Sequence, residues 1–238
     1  MTGRPPDGHG IAARYWSWAG GVFAAAAGSQ ASFHGRPAAK EWHVSAAEER
    51  VVLLDERGES VGTALKREVH HRATPLHLAF SCYVFDDAGA LLVTRRAAAK
   101  TTWPGSWTNS FCGHPGPDED MRSAVERRAA DELGLRLSGL RPVLPAFRYR
   151  AVMPNGVVEN EICPVFAAVA DGEPVPDPSE VGDHTWEPWP GFRDAVLAGR
   201  REVSPWCAEQ VPTLASLPDD PRDWPAAPWA ALPPAART

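Results

Sequence analysis

The feature that most constrains the fold of this chain is a pair of strand-rich segments separated by one helical segment. Residues rich in β-branched and aromatic side chains predict strands over 51–54, 77–85, 91–94, 147–153 and 157–169. The turn signals Asp86 to Gly89 and Pro154 to Gly156 join the later strands into two hairpins. Between the hairpins, residues 118–133 have helical composition, with acidic residues in the first turn and Gly134 as the stop signal.

Two further helices are expected, over Phe192 to Leu197 and after Pro205. Strands with helices set between them predict an α+β fold, in which a mixed, antiparallel-rich sheet is flanked by helices as an α/β sandwich. The length of 238 residues suits a single domain. We place this domain at residues 45–216, between a poorly ordered extension at 1–44 and a Pro- and Ala-rich tail at 217–238, and we interpret both ends as appendages.

The composition narrows the classes of partner and compartment. A formal net charge of -6 gives no positive surface for nucleic acid, so a polyanionic ligand would need local cations or metal ions. The stretch at residues 16–33 is a weak match to a signal peptide, because glycines and polar residues interrupt it, and it is too short and too weakly apolar to span a bilayer. Four widely spaced cysteines without a CxxC pair indicate reduced thiols in a cytoplasmic protein, which we expect to be a monomer or a weak homodimer.

Cys112 and His114 lie two residues apart in the strand-like segment TNSFCGHP, so their side chains project to one face. The intervening Gly113 is expected to leave the flank of both side chains open. A lone free cysteine is more often a small buried hydrophobe than a functional group, and both interpretations stay open on these residues alone.

Glu159 and Glu161 share one face of the predicted strand in ENEICPVF. Like charges side by side in an apolar setting raise one another's pKa unless a cation intervenes, so a metal ion is their usual partner. Three imidazoles, those of His70, His77 and His114, complete a ligand set that suits octahedral Mg²⁺, Mn²⁺ or Zn²⁺. A proline between the first two histidines makes a continuous helix unlikely to join them, so they would have to meet through a loop.

The predicted central helix places Arg128 and Glu132 on the stripe that begins at Met121, where a core-facing stripe should be apolar. The two charged residues are four positions apart, so an internal ion pair is one interpretation. In the other interpretation Glu132 holds a divalent ion and Arg128 meets an anion. Further cations that flank strand ends and could neutralise a diphosphate are Lys66, Arg96 and Lys100.

The segment Gly113 to Leu135 resembles the Nudix box, GX5EX7REUXEEXGU. The matching residues are Gly113, Glu119, Arg127, Glu132, Gly134 and Leu135. Arg128 and Asp131 stand where hydrolases of that superfamily carry glutamates. The resemblance therefore implies the Nudix fold but disfavours hydrolysis of a diphosphate.

With TNSFCGHP, FRYRA, ENEICPVF and SPW in order, the region from about 51 to 211 is similar to type I isopentenyl-diphosphate delta-isomerase, a family with the Nudix fold. That resemblance implies an enzyme of isoprenoid biosynthesis that interconverts isopentenyl and dimethylallyl diphosphates. It implies that Cys112 and Glu161 transfer protons, that Tyr149 hydrogen-bonds Glu161, and that Tyr149 and Trp206 line the reacting carbons. It also implies a divalent ion on His70, His77, His114, Glu159 and Glu161, Mg²⁺ with the diphosphate at Glu132, and diphosphate contacts from Lys66, Arg96, Lys100 and Arg128.

Two other functions stay open from the sequence: a Nudix diphosphatase and a prenyl-diphosphate-binding protein without turnover. The replaced glutamates of the box argue against the first, and a thiol facing the ligand argues against the second. Trp206 lies near a predicted helix start and is also open to a packing role, because an indole buries a large area.

Overall fold

The computed structural model describes residues 49–237. The predicted extension at 1–44 and the signal-peptide-like stretch at 16–33 lie outside the described residues. The strands are β1 Arg50–Leu54, β2 Ser60–Leu65, β3 His77–Leu78, β4 Phe80–Phe85, β5 Ala90–Arg96, β6 Trp107–Thr108, β7 Phe111–Gly113, β8 Arg136–Leu144, β9 Arg148–Val152, β10 Val158–Ile162, β11 Val165–Asp171 and β12 Val181–Pro188. The α-helices are α1 Lys66–Val69, α2 Met121–Leu133, α3 Trp189–Leu197 and α4 Pro205–Leu214, and three 3₁₀ helices follow at Pro221–Asp223, Trp229–Ala231 and Pro234–Ala236.

The strands form two sheets. One has the order β2-β1-β3-β10-β9, and the other has the order β12-β5-β4-β11-β8 with β6 beside β5 and β7 beside β4. The pairs β3/β10 and β4/β11 are parallel, and the remaining pairs among the described strands are antiparallel. The expected mixed, antiparallel-rich arrangement is thereby confirmed.

Two of the predicted strands each divide between the sheets, which the sequence did not predict. The segment 77–85 leaves the first sheet after β3 and enters the second as β4, and the segment 157–169 does the same between β10 and β11. The two segments cross side by side, because the N–H of Ala79 donates to the carbonyl of Ile162 and the N–H of Ser81 to that of Pro164, at 3.0 Å in both cases. Pro164 has no N–H to give to a ladder, which suits its position at the crossing.

The first predicted hairpin is present, but its two strands, β4 and β5, pair only next to the turn and diverge farther along. Phe85 pairs with Leu91 beside the turn, and farther along the short strands β6 and β7 occupy the space between β4 and β5. In this way the segment that contains Cys112 becomes part of the second sheet, where Cys112 lies opposite Ser81.

The helix α2 begins at Met121, three residues later than predicted. The carboxylate of Asp120 accepts a hydrogen bond from the N–H of Ser123 and caps the helix there. Its end agrees with the prediction, because Gly134 adopts a left-handed φ of 63° that favours glycine. The helix α3 begins at Trp189, earlier than predicted, with a proline in its first turn, and α4 begins at Pro205 as expected.

Helices cover both faces of the second sheet. Side chains of β4 alternate between two buried clusters, with Cys82 and Val84 packed on the side of α2 and Tyr83 and Phe85 on the side of α3 and α4. This is the expected α/β sandwich, and it gives each helix an apolar surface on which its orientation is fixed.

The segment after Leu217 packs on the domain and is not the appendage that its composition suggested. Trp224 is buried beside α3, and Leu232 joins the cluster on the side of α2. Backbone hydrogen bonds from Ala227 to Pro142 (2.8 Å) and from Ala235 to Gly58 (3.0 Å) attach it to the sheets. Prolines fix φ and remove N–H donors, so such a segment can pack in short turns without regular hydrogen-bonded ladders. Within residues 49–237 no helix has the length and apolarity needed to cross a membrane.

Candidate active site

A cavity of about 340 Å³ lies where the two strand segments cross between the sheets. All the predicted site residues except His77 line it: Lys66, His70, Arg96, Lys100, Cys112, His114, Arg128, Glu132, Tyr149, Glu159, Glu161 and Trp206. His77 is fully buried behind the wall and contacts Glu161. Residues that are far apart in sequence therefore meet in one place.

Three imidazoles surround the carboxylate of Glu161. Its Oε1 lies 3.1 Å from Nε2 of His114, 3.3 Å from Nε2 of His77 and 4.0 Å from Nε2 of His70. The fold accounts for this, because His77 on β3 is the direct parallel neighbour of Glu161 on β10. The loop after His70 is tied to β10 by Thr74, whose hydroxyl donates to the carbonyl of Val158 at 2.6 Å.

These four side chains fit a divalent metal ion. One possible ligand atom from each lies within 4.8 Å of the others. Nε2 of His70 and Nε2 of His77 are buried without a hydrogen-bond partner among the described residues. Nδ1 of His77 lies 3.0 Å from the carbonyl of Pro75, which fixes the proton on that nitrogen and leaves the Nε2 lone pair facing the cluster. Two buried imidazole nitrogens with no protein partner are what a metal ligand set requires.

The charges in the cluster follow from burial and proximity. Burial lowers the pKa of His114 to about 3, so this imidazole is neutral and able to ligate. Burial opposes ionisation of Glu161, but the surrounding imidazoles, that of His114 foremost, outweigh it and hold the pKa of Glu161 well below its usual range. Burial and the neighbouring charge of Glu161 together raise the pKa of Glu159.

Glu159 and Tyr149 differ from the predicted arrangement. The Tyr149 hydroxyl donates to Oε2 of Glu159 at 2.9 Å, so the expected hydrogen bond from Tyr149 to Glu161 is wrong. Glu161 is directly opposite Tyr149 across β9 and β10, but its carboxylate is turned to the histidines, and the phenol reaches the diagonal neighbour instead. Glu159 also lies outside the group of mutually close ligand atoms.

Cys112 is the one partly exposed cysteine of the chain's four. Its Sγ lies 3.3 Å from Oγ of Ser81 on the adjacent strand. Burial of the sulfur raises the pKa of Cys112 to about 12, so the group is a neutral thiol at physiological pH. Gly113 beside it does not leave an open flank, as the sequence suggested, because the space that a Cβ would take is filled by Phe80 and Arg128.

Aromatic side chains form another part of the wall. The ring centroids of Tyr149 and Trp206 are 5.9 Å apart at a tilt of 45°, and the guanidinium of Arg96 lies 5.4 Å from the Trp206 ring. Trp206 is buried in the first turn of α4. Its indole therefore both packs and faces the cavity.

The four predicted cations lie together, and carboxylates hold three of them. Arg128 pairs with Glu132 and also lies 3.6 Å from Glu180, which in turn pairs with Lys100. Lys66 pairs with Glu49 at 2.6 Å. Arg96 instead donates to the carbonyl of Thr102 at 2.8 Å.

Sequence reasoning missed Glu49 and Glu180, which line the same cavity. Each lies just before an edge or near-edge strand, and no spacing in the sequence relates them to the cations. Only the folded sheet places them there. Both carboxyl groups have a lowered pKa, because the ion pairs outweigh the cost of burial.

The remaining box residues support the loop that contains His114. Arg127 donates to both carboxylate oxygens of Glu119, at 2.7 and 2.8 Å, and Glu119 accepts from the N–H of Gly116 at 2.8 Å. Asp131 is on the exposed side of α2, 3.7 Å from Arg127. Glu132 is thus the one box carboxylate that lines the cavity.

Comparison with known proteins agrees with this geometry. The NUDIX domain model matches residues 75–207. A protein from Saccharopolyspora erythraea named isopentenyl-diphosphate Delta-isomerase is 57% identical over 79% of this chain and 97% of its own length. A protein of the same name from Mycolicibacterium vanbaalenii is 58% identical over 70% of this chain and 91% of its own length.

The chain therefore belongs to the isopentenyl-diphosphate Delta-isomerase family, within the Nudix-domain proteins. A crystal structure of a protein from Deinococcus radiodurans shares the fold with a TM-score of 0.54. At 22% identity over 69% of this chain and 98% of that one, this likeness concerns the fold alone.

Proposed function

We infer that this protein catalyses the metal-dependent interconversion of isopentenyl diphosphate and dimethylallyl diphosphate in isoprenoid biosynthesis. The observation that carries this function is that Cys112 and Glu161 line one cavity from two different sheets. Relatives more than half identical over most of the chain have the corresponding name, which supports the same reaction here.

The reaction needs two proton-transfer groups. A proton is added at the terminal methylene of the alkene, and another is removed from the carbon two bonds away, with a tertiary carbocation or a species close to it between the two steps. Cys112 and Glu161 are the pair that we assign to these transfers. The reverse reaction uses the same two groups with their roles exchanged.

The aromatic wall would stabilise the positive charge that develops on the substrate. An indole face such as that of Trp206 attracts a cation by roughly 0.5–2 kcal/mol, with the larger values in a dry site. The Tyr149 hydroxyl donates to Glu159, and this hydrogen bond fixes the orientation of the phenol ring in the wall. Exclusion of water matters because water would capture the cation as an alcohol.

The diphosphate end of the substrate would lie among Lys66, Arg96, Lys100 and Arg128. The charges of Lys66, Lys100 and Arg128 are balanced by Glu49, Glu180 and Glu132, and an incoming diphosphate with Mg²⁺ would take over part of that balance. We propose Glu132 as the protein ligand of this Mg²⁺, because it is the box carboxylate at the cavity.

The second divalent ion, Mn²⁺, Mg²⁺ or Zn²⁺, would be held by His70, His77, His114 and Glu161. Such an ion supplies positive charge that keeps Glu161 ionised and fixed in orientation. The role of Glu159 as a further ligand stays a prediction, and its observed contact is with Tyr149. The cytoplasm, which four free thiols favour, stays the proposed compartment.

The test is incubation of the purified protein with isopentenyl diphosphate and Mg²⁺, followed by acid treatment. Dimethylallyl diphosphate is acid-labile and its isomer is not, so acid-labile product is expected for wild type and nearly none for Glu161→Gln. Release of phosphate without acid-labile product would instead identify a diphosphatase. Binding without either product would identify a protein that holds prenyl diphosphates without turnover.

A further inference from the structure

We propose that Asn109 is a positioning residue that orients Cys112 and Trp206 relative to each other, an inference that rests on the proposed isomerisation. Asn109 is fully buried between β6 and β7 and does not line the cavity. It is part of neither the proton-transfer pair nor the metal cluster. Its amide nevertheless contacts both the thiol and the indole that the reaction would use.

The orientation of the Asn109 amide follows from the partners on each side. Its Nδ2 donates to the carbonyls of Cys82 and Phe111, at 2.9 Å in both cases. Carbonyl oxygens accept and cannot donate, so the nitrogen of the amide must be on this side. These two backbone groups belong to adjacent strands, β4 and β7, so the amide is anchored to the frame of the sheet.

The amide oxygen consequently faces the site. The indole Nε1 of Trp206 donates to Oδ1 at 3.0 Å, and an indole nitrogen can only donate, which again places the oxygen there. The thiol of Cys112 donates to the same oxygen at 3.5 Å. The hydroxyl of Thr108 also donates to it, at 2.8 Å.

A single acceptor thus joins a strand residue to a helix residue. Cys112 is on β7, whereas Trp206 is in the first turn of α4. The N-terminus of α4 is attached to the same segment, because the N–H of Ser204 donates to the carbonyl of Trp107 at 2.7 Å and the hydroxyls of Ser204 and Thr108 are 2.7 Å apart. The Asn109 oxygen adds the contact that sets the rotation of the indole about its own side-chain bonds.

The residue type suits this role. Asparagine offers two donors and an acceptor on one planar group, and both ends are used. Aspartate would keep the acceptor but lose the donors to the two carbonyls. Alanine would lose every one of these bonds, including the acceptor that orients the indole.

The experiment compares kcat, KM and melting temperature of wild type, Asn109→Ala and a matched control, Ser110→Ala. Ser110 is also fully buried and joins two backbone groups, since its hydroxyl accepts from the N–H of Val84 and donates to the carbonyl of Leu92, both at 2.7 Å, whereas neither Cys112 nor Trp206 is its hydrogen-bond partner. Both variants should melt at lower temperature. Only Asn109→Ala should lower kcat, by about tenfold or more, with KM within about twofold of wild type, since alignment at the reacting carbons is lost while the diphosphate contacts stay.

The combination of Asn109→Ala with Trp206→Phe distinguishes orientation of the indole from a general loss of packing. Phenylalanine has no N–H to be oriented, so the double variant should lose less kcat than the product of the two single losses. If Asn109→Ala does not fold, Asn109→Asp replaces it and should also lose about tenfold in kcat, because the anchoring donors are absent.

A wild-type kcat in Asn109→Ala, or in Asn109→Asp where that variant replaces it, would overturn the proposal. An equal loss of kcat in Ser110→Ala would also overturn it. So would a double variant whose loss of kcat equals the product of the two single losses. A wild-type protein without isomerisation would remove the proposed function and this inference together. Wild-type turnover with an unaffected Asn109 variant would remove the inference alone.

Discussion

Gly113→Ala tests whether the cavity wall at Gly113, between Phe80 and Arg128, is as closely packed as the structure indicates. A Cβ at this position would lie 2.7 Å from Cζ of Phe80 and 2.8 Å from Cγ of Arg128. Both distances are shorter than real Cβ contacts, so one of these side chains must move. Phe80 is fully buried and packs edge-to-face on Phe111, whereas Arg128 faces the cavity.

The expected cost has two parts. Inserting a methyl group into a filled core costs about 1–3 kcal/mol, and a domain of this size loses about 2–4 °C in melting temperature for each kcal/mol. The melting temperature should therefore fall by about 2–12 °C. Displacing Arg128 would also remove the charge-assisted contact that we propose between it and the diphosphate, worth about 1.5–3 kcal/mol, so KM should rise by about tenfold or more.

The assay measures melting temperature and the KM for isopentenyl diphosphate on the same preparations, with Gly191→Ala as the control. Gly191 lies in α3, and a Cβ there would meet nothing within 4 Å. Alanine is the better helix former, so the control should melt at or slightly above the wild-type temperature. If Gly113→Ala behaves like Gly191→Ala in both measurements, the packing argument is refuted.

Three further predictions concern the thiol, the metal ligands and the pH dependence of stability. Cys112→Ala should abolish nearly all isomerisation with the fold intact, whereas Cys207→Ala, at a buried site in α4, should lower the melting temperature but not kcat per folded molecule. Chelation should abolish activity, and elemental analysis should find less metal in His77→Ala than in His71→Ala, since His71 is exposed and outside the cluster. The Arg127 ion pair outweighs burial and lowers the pKa of Glu119 below its unfolded value, so the stability from this pair is present at neutral pH and lost as pH falls through the folded pKa. Thermal melts from pH 7 to about pH 3 should show that Glu119→Gln has lost part of this dependence; identical pH profiles would count against the pair.

Local signals in the sequence were sufficient for the elements whose formation is local. The turn at Asp86 to Gly89, the end of α2 at Gly134 and the start of α4 at Pro205 depend on nearby residues, and all three agree with the structure. The cavity lining was also predictable, because the motif residues had a family resemblance to guide them. That resemblance assigned residues one by one but not the hydrogen bonds between them.

The features that sequence reasoning missed all depend on distant pairing. A strand that continues through Ala79 looks the same in sequence whether it stays in one sheet or crosses to another. Glu180 and Glu49 became visible only when the sheets placed them beside Lys100 and Lys66. The Pro- and Ala-rich tail has no periodicity to indicate burial, yet its Trp224 packs against Trp189 at a centroid distance of 5.0 Å.

The strand crossing explains why the two groups proposed for proton transfer, Cys112 and Glu161, line one cavity. Because both segments change sheets together, Glu161 stays with the first sheet and Cys112 pairs with the second, next to Ser81. A substrate bound in this cavity, as proposed above, would meet an acid or base on each wall. The two groups also differ in protonation, because the surrounding imidazoles hold the pKa of Glu161 well below its usual range, whereas burial raises the pKa of Cys112 to about 12.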